Sequence, residues 1–121
     1  MMEITELEVW QTAMNLSQRL YELSKSMPET EQFGLGHQLR QHAVKIPSLI
    51  AAAASRKYGQ ESIRALDIAK GHLYETETVL RLAHRLDLLS EDETKETLEQ
   101  LETSRKLLFG FLKYYKRATR S

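Results

Sequence analysis

A chain of 121 residues without cysteine is long enough for one domain with a substantial core, and it can form neither disulfides nor thiolate metal sites. Lys and Arg balance Asp and Glu at 17 each, which excludes a protein that is strongly basic or acidic as a whole but not one with charged faces. No apolar run approaches the roughly 20 residues that cross a bilayer, and the N-terminus lacks the basic-then-apolar layout of a secretory signal. A soluble cytoplasmic protein is expected, folded as a single domain over residues 1–121, with no membrane partner.

The first helix is expected from Thr5 to Ser26, opened by Thr5 and Glu8 at capping-box spacing. Val9, Ala13, Leu16, Leu20, Leu23 and Met27 keep an alternating three–four spacing, and Leu7, Trp10, Met14 and Tyr21 form a second stripe beside them. One core needs about a 100° face. The excess points to a second contact, either a subunit interface or a broad intramolecular groove, with Trp10, Met14 and Tyr21 as its candidate residues.

Pro28 and Gly34-Leu35-Gly36 interrupt the pattern, and a second helix is expected from Gly36 to Lys57. Pro47 falls inside it, where proline removes a donor and crowds the carbonyl four residues earlier at a cost of about 3 kcal/mol or more. The apolar spacing Leu39, Ala43, Ile46, Ile50, Ala53 nevertheless runs through the proline. This predicts a helix kinked at Pro47 and packed on both sides of the kink. Tyr58-Gly59 reads as a left-handed cap at its end.

The third helix is expected over Gln60 to Leu86. Leu66, Leu73 and Leu80 fall seven apart, each followed three residues later by Ala69, Thr76 or Ala83. Gly71 costs about 1 kcal/mol relative to alanine there, which predicts a close backbone approach. Ser90 and Glu93 form a second capping-box pair and open the fourth helix, Ser90 to Arg117. Leu98, Leu101, Leu108, Leu112 and Tyr115 mark its buried side; Leu107, Phe109 and Phe111 widen it, and Phe109 and Phe111 join the candidate oligomer interface. No strand pattern competes, and short connections favour antiparallel neighbours. The predicted fold is all-α: an antiparallel up-down-up-down four-helix bundle with its second helix kinked at Pro47.

Several segments carry a family resemblance: Leu7-Glu8-Val9-Trp10-Gln11, Gly34-Leu35, Gln38-Leu39-Arg40, Ala43-Val44, Ile46-Pro47, Ile50-Ala51, Arg56, Ile68-Ala69-Lys70-Gly71, and Leu73 with Glu75. In this order they resemble the four-helix-bundle protein family encoded in intervening sequences of bacterial large-subunit ribosomal RNA genes. The resemblance implies a kinked bundle that closes into a homopentameric ring. It also implies kinship with accessory proteins of diversity-generating retroelements, which are basic rings that bind nucleic acid and a reverse transcriptase. It implies no enzymatic activity. The chain departs from the family pattern after the proline, where Leu49, Ala52 and Ala53 stand in place of Asn, Glu and Gly. Gln41 stands where a second arginine is common, and His72 where a serine follows the glycine.

The carboxylate-bridged di-metal chemistry of some bundles needs Glu-x-x-His on two helices. Three residues before each histidine stand Gly34, Leu39, Ala69 and Arg81, so that motif is absent and no metal or other cofactor is expected. His37 with Gln41, and His42 with Lys45, could share a helix face near Arg40; with no nucleophile or carboxylate pair beside them, they read as surface or interface histidines, and no enzyme is expected. A structural link from Glu75 to Arg40 is expected between the third and second helices. Residues 90–103 carry six acids against one base, and residues 104–121 six bases and no acid. Arg105, Lys106, Lys113, Lys116, Arg117 and Arg120, interleaved with Tyr114 and Tyr115, are candidate contacts to RNA or DNA phosphates and bases, with Arg56 and Lys57 extending the patch. The same charges complement the dipole of the fourth helix, so a solvated helix end is the competing reading. The partners expected are further copies of the chain, then RNA or DNA, or else an unidentified protein held by the wide apolar faces.

Overall fold

The structure, a computed structural model, describes residues 3–56 and 58–120, apart from the side chain of Arg120. Among the described residues it is all-helical, with no strand. A 3-10 turn at Ile4–Glu6 leads into helix α1 (Glu8–Lys25), and a second at Glu29–Glu31 precedes α2 (Leu35–Ala54), followed by α3 (Gln60–Arg85) and α4 (Glu91–Arg120). No helix among these residues is long and apolar enough to cross a membrane.

Each helix buries the stripe that its spacing marks. Val9, Ala13, Leu16, Leu20, Leu23 and Met27 of the α1 region, Leu39, Ala43, Ile46, Ile50 and Ala53 of α2, and Leu66, Ala69, Leu73, Leu80 and Ala83 of α3 are all buried. On α4, Leu101, Leu108, Leu112 and Tyr115 close the core, with Leu98, Leu107 and Phe111 packed half-buried against it. Each fully buried large aliphatic side chain stabilises the fold by about 1.5–3 kcal/mol. Consecutive helices pack on one another, and α4 also packs on α1. Residue numbers run in opposite directions across two of these contacts: His42 meets His72 and Ala53 meets Ser62 between α2 and α3, while Lys70 meets Phe109 and Tyr74 meets Arg105 between α3 and α4. Pro47 is buried within α2, which continues through it as one helix, and the Ser48 hydroxyl donates to the Val44 carbonyl 2.6 Å away.

The helix ends divide the sequence-based expectations. At α4 the Ser90–Glu93 capping box is formed in both directions: Ser90 N–H donates to Glu93 Oε1 and Glu93 N–H to Ser90 Oγ, each at 3.0 Å. At α1 the expected box is not formed. The chain first closes the Ile4–Glu6 turn, α1 starts at Glu8 behind Leu7, and the Thr5 carbonyl instead accepts from Gln11 Nε2 at 2.5 Å. The left-handed cap at Tyr58-Gly59 is also absent: α2 ends at Ala54, and Gly59 is extended, with φ 163°, as the residue before α3. Among the described residues the left-handed one is Asp87 (φ 59°), which follows α3 and lets Leu88 N–H return to the Ala83 carbonyl at 2.9 Å.

Gly71 does not mediate a close approach, because a Cβ built there meets nothing within 4 Å. The tight glycine is Gly36, where a Cβ would lie 2.9 Å from the Glu31 carbonyl oxygen, at the point where α2 comes in beside the end of α1. The Glu31 carboxylate accepts the Leu35 N–H at 3.1 Å, satisfying one of the free donors at the start of α2.

Two paired substitutions check this local accounting by chemical denaturation. Ser90→Ala lowers the unfolding free energy by about 0.5–2 kcal/mol, whereas Thr5→Ala changes it by less than about 0.5 kcal/mol. Gly71→Ala raises it by up to about 1 kcal/mol through helix propensity, and Gly36→Ala lowers it.

Candidate functional site

The end of α4 lies beside the connection between α2 and α3. The Tyr58 and Tyr114 hydroxyls are 2.7 Å apart, the Tyr58 and Tyr115 ring centroids are 5.3 Å apart, and Phe111 packs on Tyr115 at 4.9 Å. The Tyr115 hydroxyl donates to the Ala53 carbonyl at 3.4 Å. Hydrogen bonding to Tyr114 raises the pKa of Tyr58, and burial raises that of Tyr115, so both rings stay uncharged at neutral pH.

Lys106, Lys113, Lys116 and Arg117 are exposed on α4. At 100° per residue they share one side of the helix, over a length of about 17 Å. Arg105, one residue before this stripe, is held against α3. Its guanidinium is 3.7 Å from Glu77, bonds Glu102 one turn earlier, and lies over the Tyr74 ring at 5.5 Å, so a phosphate would have to displace partners already present. Arg56 is at the same end as Tyr58 but is bonded to Glu61 at 2.8 Å. Lys57 and the Arg120 side chain lie outside the described residues.

The five candidate interface residues do not form one patch. Met14 and Tyr21 are each 41% exposed and line a cleft of about 690 Å³ between α1 and α2, together with Val44 and Pro47. Phe109 is exposed on α4, with the Lys70 ammonium of α3 5.5 Å from its ring centroid. Trp10 and Phe111 are half-buried against the core.

The expected link between Arg40 and Glu75 is not formed. Arg40 turns towards the α1–α2 connection, donating to the Gln32 side-chain oxygen at 3.2 Å and to the Gln32 carbonyl. The Gln32 amide in turn donates to the Ser24 and Met27 carbonyls at 3.0 and 2.8 Å, so one arginine–glutamine pair ties the end of α1 to α2. A half-buried carbonyl close to its own helix satisfies the guanidinium, leaving Glu75 to other partners.

Those partners are histidines, and only part of the surface reading of the histidines holds. His37, Gln41 and Lys45 are exposed, but His42 is only 4% exposed. Its Nδ1 lies 2.9 Å from Nδ1 of His72 on α3, and Glu75 Oε2 lies 3.8 Å from the first nitrogen and 3.6 Å from the second. Burial lowers the pKa of His42, His72 lowers it further, and Glu75 opposes both. These three side chains offer ligand-type atoms all within 4.8 Å of one another. The sequence signal is present in reversed order: His72-Leu-Tyr-Glu75 is a His-x-x-Glu pair on one helix face, whereas the di-metal bundles carry Glu-x-x-His. The third member, His42, comes from another helix.

A helical protein with an aromatic and basic helix end and a pair of facing imidazoles, one buried and one half-buried, is thus defined. The profile of the 23S rRNA-intervening sequence protein family matches residues 5–110. The chain belongs to that family, as the motifs from Leu7 to Glu75 indicate. No curated protein matches it.

The His42 environment sets a pH dependence. Below its unperturbed pKa of 6.5, the unfolded chain takes up a proton that the folded chain resists. This contribution to stability is therefore complete above about pH 6.5 and is lost as pH falls through the lower folded value. Thermal melts from pH 7.5 to 5.5 should show a decline in the wild type that is shallower in His42→Leu.

Proposed function

We propose that the chain is a non-enzymatic, self-associating cytoplasmic module that binds RNA or DNA through backbone charge at the C-terminal end of α4. In this reading the four helices run up-down-up-down, α2 bends at Pro47, and copies close into a ring of five. Membership of the family supports it, and the resemblance in sequence supplies the number five.

The observation that carries the binding half is the exposed stripe of Lys106, Lys113 and Lys116, on the helix whose end also carries the Tyr58–Tyr114 pair. Several cations on one surface suit a phosphate chain, and aromatic rings at the same helix end can stack on unpaired bases. Nothing in the stripe reads a base sequence. In a ring, copies of this helix end would multiply the charge.

Self-association is supported by where the exposed apolar residues sit. Met14, Tyr21 and Val44 occupy the α1–α2 side, while Phe109 of α4 lies on the α3–α4 side with its ring beside Lys70 of α3. Since α1 and α3 each pack against α2 and α4, these two sides face away from each other. A cyclic ring other than a dimer needs two different, complementary patches on each subunit. Exposed Gly71 and Gly110, with open space where a Cβ would be, leave room on the second side for a neighbour to approach closely.

Light scattering at micromolar concentration should give an oligomer, and a monomer there would refute the ring. Filter binding of single-stranded RNA should weaken by roughly 20-fold between about 50 and 200 mM salt if three phosphates are contacted per bound strand. Lys113→Glu with Lys116→Glu should reduce the low-salt affinity and the salt slope together. No binding at low salt, or binding indifferent to salt, removes the phosphate mechanism. The apolar α1–α2 cleft favours a second reading, a scaffold for another protein, and a stoichiometric protein complex from a chain that ignores nucleic acid would select it.

A further inference from the structure

We propose that His42, His72 and Glu75 form a binding site for one divalent transition-metal ion per chain, with zinc as the ion that fits best. The three ligand atoms come from two helices held in register by the core. They form a triangle with sides of 2.9, 3.6 and 3.8 Å. The point equidistant from its corners lies about 2.0 Å from each, the bonding distance of zinc to imidazole nitrogen and carboxylate oxygen. Glu75 is exposed and His72 half-buried, whereas His42 is held by its burial.

The donor set selects the class of ion. Calcium and magnesium require shells made of oxygen, whereas two imidazoles and one carboxylate suit zinc and its first-row neighbours. The two Nδ1 atoms face each other, so without an ion one of them must carry the proton that the other accepts. A metal ion needs neutral imidazole, and burial favours that form in His42.

The triad opens on a cleft of about 580 Å³ that is also lined by Tyr21, Arg40 and Lys45. Three protein ligands beside an open cleft leave the fourth position to water or a small ligand. With the exposed Lys45 lining the same cleft, an anion is the ligand class suited to that position. None of its three ligands is on α4, so its test does not depend on nucleic-acid binding.

The test uses the untagged full chain, stripped with a chelator, titrated with Zn²⁺ by calorimetry and with Co²⁺ by visible absorption. The expected result is saturation at one ion per chain, a four-coordinate cobalt spectrum, and shifted ¹⁵N resonances of Nδ1 in both His42 and His72. His72→Ala and Glu75→Gln should each weaken zinc at least about 10-fold. Exposed His37→Ala should leave it unchanged. Absence of saturable binding at tens of micromolar zinc overturns the site. So does an affinity equal in the wild type, His72→Ala and Glu75→Gln, which would assign the ion to other side chains. If His72→Ala loses its helical circular dichroism, Glu75→Gln alone decides between the two outcomes.

Discussion

The buried seam common to the four helices fixes the placement of everything else. Leu16 and Leu20 of α1, Leu39, Ile46 and Ile50 of α2, Leu66, Leu73 and Leu80 of α3 and Leu108 of α4 have essentially no exposed surface. Packing of this kind is intolerant of rotation, since turning a helix by one residue sweeps its apolar stripe through about 100° and out of the core. His42 follows Leu39 by three residues and precedes Ile46 by four, so the seam forces its imidazole inward whatever the cost of burying a polar ring. His72 lies three after buried Ala69 and one before buried Leu73, which sets it at the edge of the same seam and opposite His42. The hydrogen-bonded pair is thus a consequence of aliphatic packing. Each ring satisfies the other where water has limited access.

Legibility in the sequence follows the range of the interaction concerned. The apolar stripes depend on one helix at a time, and every residue of the first α1 stripe and of the α2 stripe is buried as its spacing predicts. The Ser90–Glu93 box is equally local, and it forms because the turn after Asp87 delivers Ser90 in the right place. Thr5 and Glu8 have the same spacing but fail, because the Ile4–Glu6 turn takes the chain first and moves the start of the helix beyond Thr5. Spacing states that a box could form without stating which of two competing turns is lower in free energy.

Relations between helices were less legible, for a physical reason. Whether Arg40 meets Glu75 depends on the rotation of α2 against α3 and on every other acceptor within reach of a long side chain. Gln32, eight residues away along the chain, offers two oxygens near the start of α2 and wins. The role assigned to Gly71 belongs to Gly36 for a similar reason. A glycine in a helix says that no side chain is there, but only the neighbouring backbone decides whether the space is filled, as at Gly36, or open, as at Gly71.

The charges of α4 illustrate how packing divides a run of like residues into different roles. Acids open the helix, beginning with Glu91, Asp92 and Glu93, and bases close it, an order that the macrodipole favours by a few tenths of a kcal/mol per charge. That preference acts only within the first and last turns. It accounts for Lys116 and Arg117, and it does not reach Lys106, which lies more than three turns from the end. Arg105 is nearest to α3 and is drawn into its surface by Glu77 and Tyr74. Lys106, one residue on, points about 100° further round and is exposed. An exposed lysine in mid-helix, aligned with Lys113 by a seven-residue step, gains nothing from the dipole. The stripe therefore extends beyond what helix electrostatics requires.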